Sequence, residues 1–240
     1  MNPNQLVATA DRMVARLNTI IVDDPGTRAA LRRGLGRPPQ DLANFHAHAV
    51  VAPYLPTSCD EATERAFYTV AALVAAQPRS ARDQVTDSDE AGEEPEPAPD
   101  SAGATTSGES AAEIVTASQA ASKHRPNLGQ TLAWAVEHGH LTNNPKRDPI
   151  RDRLHVLARY RTNRLHRELP KLIAYLRGQL VQVDWGYLLR DLARWEQDRE
   201  RVAKEWVQQY HRTRGQIQRA RERTPNAESG TSDNPGSEPT

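Results

Sequence analysis

Between residues 146 and 177 the stretch KRDPIRDRLHVLARYRTNRLHRELPKLIAYLR carries ten basic side chains and three acidic ones. Arg151, Arg153, Arg159, Arg161, Arg164, Arg167 and Lys171 follow one another too densely for those acids to neutralise them through pairs three or four residues apart. A guanidinium stays charged and presents a planar fork of donors that matches phosphate. An unbalanced run of arginines is therefore chemistry for a polyanion, most simply a nucleic-acid backbone. Further basic residues stand at Arg32 and Arg33 in ALRRGL and at Lys123 and Arg125.

Other chemistries find no support. His46 and His48, like His138 and His140, are two apart and point to different helix faces, with no acid or cysteine at ligand spacing, so no metal site is expected. RRGLGRPP lacks the preceding strand and the following Lys-Ser/Thr of a phosphate loop and reads as a helix stop. The single cysteine, Cys59, allows no disulfide framework, and no serine or cysteine nucleophile has a positioned base. Asp184 beside Trp185 fits a helix N-cap better than a catalytic acid. These features argue against an enzyme, a cofactor or a small-molecule substrate.

The formal net charge of zero hides a sorted distribution. Residues 1–82 carry +2, residues 83–122 carry −10, residues 123–223 carry +11 and the last seventeen carry −3. Only four of the 31 basic residues are lysine. A GC-rich genome explains that ratio as well as phosphate binding does, so only the location of the charge points to a partner.

The elements that would position these residues are helices. The segment 83–122 is acidic, rich in Pro, Gly and Ser, and without an aromatic residue, so it cannot offset the entropy of ordering and is expected to be a disordered acidic linker. The expected organisation is an all-α helical bundle in two parts: an N-terminal helical block at 1–82, a C-terminal basic helical block at 123–215, and a disordered tail at 216–240. Helical spacing runs through residues 3–22, GTRAALRRGL, DLANFHAHAV and DEATERAFYTVAALVAAQP. In the second block it runs through PNLGQTLAWAVEHG, DPIRDRLHVLARYRTN, HRELPKLIAYLRGQ and the stretch after Asp184. Asp60, Asn127, Asp148 and Asp184 are the expected caps. The longest apolar run, Ala66 to Ala76, is about half of a bilayer crossing, and the N-terminal residues lack a signal peptide, so a cytoplasmic protein without membrane contact is expected.

Placed on one helical wheel with Arg190 at zero, Arg190, Arg194, Arg201, Lys204 and Arg212 fall within about 40° of it. Trp185, Leu188, Leu192, Trp195, Val202, Trp206 and Tyr210 gather around 180°, which assigns the tryptophans to the core and leaves a basic stripe outside. Arg199 alone falls on the apolar side. A base-stacking platform would require an aromatic residue on the basic face.

With these patterns assembled, the chain resembles the CasB family, the small subunit of the type I-E CRISPR surveillance complex Cascade. The resemblance rests on ALRRGLGRPPQDLANFHAHAVVAPYLP, on NLGQTLAWAVEHGHL, and on VDWGYLLRDLARWEQDRERVAKEWVQQY with its DW, L..DL..W and W...Y spacing. It implies a non-catalytic all-helical subunit, present in two copies beside the other Cascade subunits. Such a subunit holds the guide RNA and target DNA duplex and the displaced non-target strand in antiviral defence. It matches Arg32 and Arg33 to a basic pair of the family and RYRTNRLHR to its basic helical region; the stripe from Arg190 to Lys204 rests on the wheel. The alternative is a helical adaptor whose arginines meet acidic protein surfaces only.

Overall fold

A computed structural model describes residues 2–82, 125–141 and 148–223. The acidic segment 83–122, Lys123 and residues 224–240 lie outside the described residues. Among the described residues every regular element is a helix.

Helix α1 (Pro3–Asp23) ends at Asp24, which at once caps α2 (Pro25–Arg33): Thr27 donates its amide to Asp24 Oδ1 at 3.0 Å and its hydroxyl to Oδ2 at 2.6 Å. The third expected helix is tighter than its periodicity predicts. It is a 3-10 helix over Leu42–Ala47, one α turn (α3, His48–Val51) and a 3-10 turn over Ala52–Tyr54. Helix α4 (Glu61–Ala75) starts where Asp60 accepts the Thr63 amide at 2.7 Å and has Glu61 and Glu64 in its positive first turn. From Arg65 to Ala75 every residue of α4 is buried, so it is the central post of the molecule.

Asn127 and Gln130 form a reciprocal capping box at the start of α5 (Leu128–Glu137). Asp148 caps α6 (Pro149–Ala158), with Pro149 in its first turn. Then follow α7 (Thr162–Gly178) and α8 (Trp185–Arg223), the latter capped by Asp184, which accepts the Tyr187 amide at 2.8 Å.

One hydrophobic core runs through both sequence blocks, from Met13, Leu17 and Phe67 to Leu132, Leu154, Leu169, Trp195 and Trp206. Helix α8 packs against α1 and α4 of the first block and against α5 and α6 of the second. At its crossing with α5, a Cβ on Gly129 would collide with the Trp206 carbonyl, so only glycine lets the two backbones approach this closely.

Three further features differ from what the sequence predicts. The helix expected over residues 148–163 stops at Ala158, and the RYRTNR run straddles a turn, because Trp195 Nε1 donates to the Tyr160 carbonyl at 3.1 Å and draws that backbone against α8. Helix α8 is not one straight rod: Asp198 has non-helical angles (φ −123°, ψ 29°). Trp195 and Trp206 lie eleven residues apart, about 16 Å along a straight helix, yet their ring centroids are 4.9 Å apart. The arms 185–197 and 199–223 therefore fold back on each other. Finally, the last helix extends eight residues past the expected boundary at 215, to Arg223. Glu137 holds that extension, accepting from Gln218 at 3.0 Å and from Arg221 at 3.1 Å.

Candidate nucleic-acid interface

Helix α7 buries Leu165, Leu169, Leu172, Ile173 and Leu176 against the core and turns Arg164, Arg167 and Lys171 outward. At 100° per residue the three lie within about 60° of one another, which makes a ridge on one face. Arg159 and Arg161 stand exposed in the turn before it, so the ridge continues onto the positive end of the helix. Arg161 occupies the N-cap without a side-chain cap bond.

A loop from the other end of the sequence completes the site. Gly36 has φ +72°, and a Cβ there would lie 3.2 Å from Arg167 Cα and 3.4 Å from the His166 carbonyl oxygen. Pro170 has no amide hydrogen to give that carbonyl four residues earlier, so the loop packs where the helix ladder is interrupted. The contact puts Leu35 and Gly36 beside Arg164, Arg167, Glu168 and Lys171 around an open groove of about 500 Å³. Arg32, exposed in the last turn of α2, lines the adjoining cleft with Pro170 and Ala174, and Arg33 is exposed beside it.

The acids available here are few. Lys171 is held by Glu168 at 2.8 Å, and that ammonium, through its hydrogen bond, draws the Glu168 carboxyl below its ordinary range. Arg164 lies over the Tyr160 ring at 4.5 Å. Arg32, Arg33, Arg159, Arg161, Arg164 and Arg167 form no ion pair with an acid among the described residues. The first two and the last four come from separate parts of the sequence, and the Gly36 contact draws the two groups toward one face.

The remaining expected residues fall elsewhere. Arg125 is a structural cation: it donates from Nε to Asp184 at 2.5 Å and from Nη1 to Asp11 at 2.6 Å. It also lies 5.3 Å from the centre of the Tyr187 ring, and these carboxylates hold its pKa above its ordinary value. Arg190 is half-buried, paired with Asp191 at 2.7 Å and 4.1 Å over Tyr187. Arg194 and Arg201 converge on Asp198 at 3.7 and 2.9 Å, one from each side of the break. The continuous stripe expected from Arg190 to Lys204 is thus interrupted, and only Arg201 and Lys204 remain exposed. Arg151 pairs with Asp152 at 3.0 Å, and Arg153 is half-buried. Arg199 escapes the apolar side because it follows the break; it lines an open cleft of about 630 Å³ with Arg161 and Arg201.

Two arginines that the charge count included are also structural. Arg177, 2% exposed, donates to Gln77 Oε1, the Val181 carbonyl and the Ala81 carbonyl at 2.6 to 2.8 Å. Arg214 joins Glu137 at 2.6 Å and also Asp148. Apart from the Val181 carbonyl, these partners lie 66 to 100 residues away in sequence, so no local spacing marks the two arginines.

The family model for CRISPR-associated protein Cse2 matches residues 27–211, about three-quarters of the chain. The chain belongs to the Cse2 family. This is the CasB small-subunit family of type I-E Cascade that the motifs resemble. Two solved chains described as parts of a CRISPR RNA-guided surveillance complex superpose with a TM-score of 0.68. One is 42% identical, with 90% of this chain and 99% of the other covered; the second, from a pre-nicking complex, is 41% identical, with 90% and 98% covered. The crystal structure of M. ruber CasB shares the fold at 18% identity and a TM-score of 0.54, covering 85% of this chain and 97% of the other. No curated protein matches.

In this Cse2-family chain the L..DL..W and W...Y residues, Leu188, Asp191, Leu192, Trp195, Trp206 and Tyr210, are buried and hold the fold. Asp184 caps α8 and grips Arg125. Asp191, 1% exposed, accepts from Trp206 Nε1 at 2.7 Å, and burial raises its pKa against the pull of Arg190. Tyr210 donates to Asp148 at 2.6 Å, and burial with that carboxylate raises the phenol's pKa. Among the described residues no helix is long and apolar enough to cross a membrane.

Proposed function

We propose that this Cse2-family chain is a non-catalytic small subunit of a CRISPR RNA-guided surveillance complex that acts in the cytoplasm. It contacts other Cascade subunits, a second copy of itself, and the guide RNA and target DNA. Its basic face holds phosphate without reading sequence and stabilises the opened target in antiviral defence. The observation that carries this reading is the face itself: Arg32 and Arg33 from α2, with Arg159, Arg161, Arg164 and Arg167 around the start of α7, exposed and forming no ion pair among the described residues.

The energetics suit the role. Opening a DNA duplex against a guide is nearly balanced, so modest backbone contacts to the displaced strand tip it. About six phosphate contacts give weak, salt-sensitive binding by the free subunit. Assembly raises it through effective concentration.

The test is a gel-shift titration of the full chain with random single-stranded DNA at low salt. The wild type is expected to shift the DNA, and the Arg159→Glu, Arg161→Glu, Arg164→Glu triple variant to bind at least about tenfold more weakly with unchanged helicity. No shift by the wild type would leave the adaptor reading, in which the same arginines meet acidic protein.

A further inference from the structure

A second cavity adjoins the groove along α7, and the two share Leu35. It holds about 180 Å³ and is walled by Leu35, Leu73, Ala76, Pro170, Ile173 and Ala174. Its polar neighbours are already engaged. Gln77 donates to the Val74 carbonyl at 3.2 Å and accepts from Arg177 at 2.6 Å, and all three arms of Arg177 are bonded. Only Arg32, at the edge and exposed, has a side chain without a partner among the described residues.

The two cavities differ in chemistry. The larger is lined by Arg164 and Arg167, neither in an ion pair among the described residues, and suits phosphate. The smaller is apolar, is far below the roughly 300 to 1,000 Å³ of pockets that engulf whole ligands, and has space for one flat ring. A nucleotide joins an anionic phosphate to a flat ring whose faces stack on guanidinium planes. We infer that the cleft between α2, α4 and α7 receives a single unpaired nucleobase, covered by Arg32, while the phosphates of the same strand lie along Arg164 and Arg167. This rests on the nucleic-acid reading above and deepens it: the face grips a splayed base as well as the backbone, with no donor or acceptor free inside the cleft to select which base.

The test compares the full-length protein's binding at low salt to oligothymidine and to an abasic deoxyribose-phosphate oligomer of equal length. Stacking of one base corresponds to a preference of about tenfold for the oligomer with bases. Ala174→Met, at an exposed helical position, fills the cleft without adding a ring or changing charge. It is expected to abolish the preference while leaving abasic binding unchanged. Arg32→Lys, which keeps the charge and loses the planar stacking surface, is expected to reduce the preference too. Equal binding of both oligomers by the wild type, or an undiminished preference in Ala174→Met, overturns the base pocket and leaves the phosphate face standing. Binding of neither oligomer overturns both readings and assigns the groove to a protein partner.

Discussion

His166 sits in the middle of the most basic stretch of the sequence yet carries no charge in the folded protein at neutral pH. It is fully buried, its Nδ1 lies 2.7 Å from Thr69 Oγ1, and its Nε2 has no partner among the described residues. Burial first, and the nearby Arg65 charge second, hold its pKa down to about 3. In the unfolded chain the ring titrates near 6.5, so below that pH the unfolded state binds the extra proton and stability falls; the contribution is fully present above pH 6.5 and is lost as pH drops toward 3. Between pH 7 and 5 the expected loss is about 2 kcal/mol. Urea titrations at the two pH values check it, and His166→Gln should flatten the dependence, leaving the smaller share of His211, whose pKa burial also lowers. Helical spacing places His166 with Leu169 and Ile173 on the buried face of α7, but its partner Thr69 on α4 is 97 residues away and has no local signal. Arg125 is the same case: its acid partners are 114 and 59 residues away, so it reads as part of a basic surface and serves as a brace.

At the scale of elements, the helices and caps were legible because their signals are local. Asp60, Asn127, Asp148 and Asp184 all cap where their types and the following periodicity place them. The fold-back in α8 was not legible. Its residues are good helix formers on both sides of Asp198, and a continuous wheel already separates tryptophans from arginines, so periodicity gives no sign of a break. The break is held by contacts between the arms: Trp195 against Trp206, and the buried Trp206 Nε1 to Asp191 hydrogen bond. Removing either partner leaves a buried polar group unsatisfied, at a cost of about 1 to 3 kcal/mol, or more where the charge is stranded. Trp206→Phe and Asp191→Leu are therefore each expected to destabilise. The double variant is expected to lose less than the sum, with a coupling of about 1 kcal/mol or more in denaturant unfolding. Additive losses would mean that the arms do not meet at this bond.

The charge of the whole molecule makes sense only after its arginines are sorted by what they touch. The surplus in residues 123–223 is legible in the sequence as a quantity and not as a surface. Arg125, Arg177, Arg190 and Arg214 are spent on internal carboxylates and carbonyls, while Arg32 and Arg33 join the outer face from another block through the Gly36 contact. The two classes respond differently to salt. A side chain that neutralises a phosphate releases a counterion, and on single strands each such contact adds about 0.7 to the slope of log affinity against log salt. Arg164→Ala combined with Arg167→Ala is accordingly expected to weaken single-stranded DNA binding and to make that slope shallower by about 1.4. Arg125→Ala strands Asp11 and Asp184 and is expected to lower stability by about 3 kcal/mol, yet to leave the slope as it was in the protein that remains folded. Measuring affinity from 50 to 200 mM salt for wild type and both variants, alongside urea unfolding, separates the two classes. An equal change of slope in Arg125→Ala would place that cation on the nucleic acid, and an unchanged slope in the α7 pair would remove the ridge from the interface.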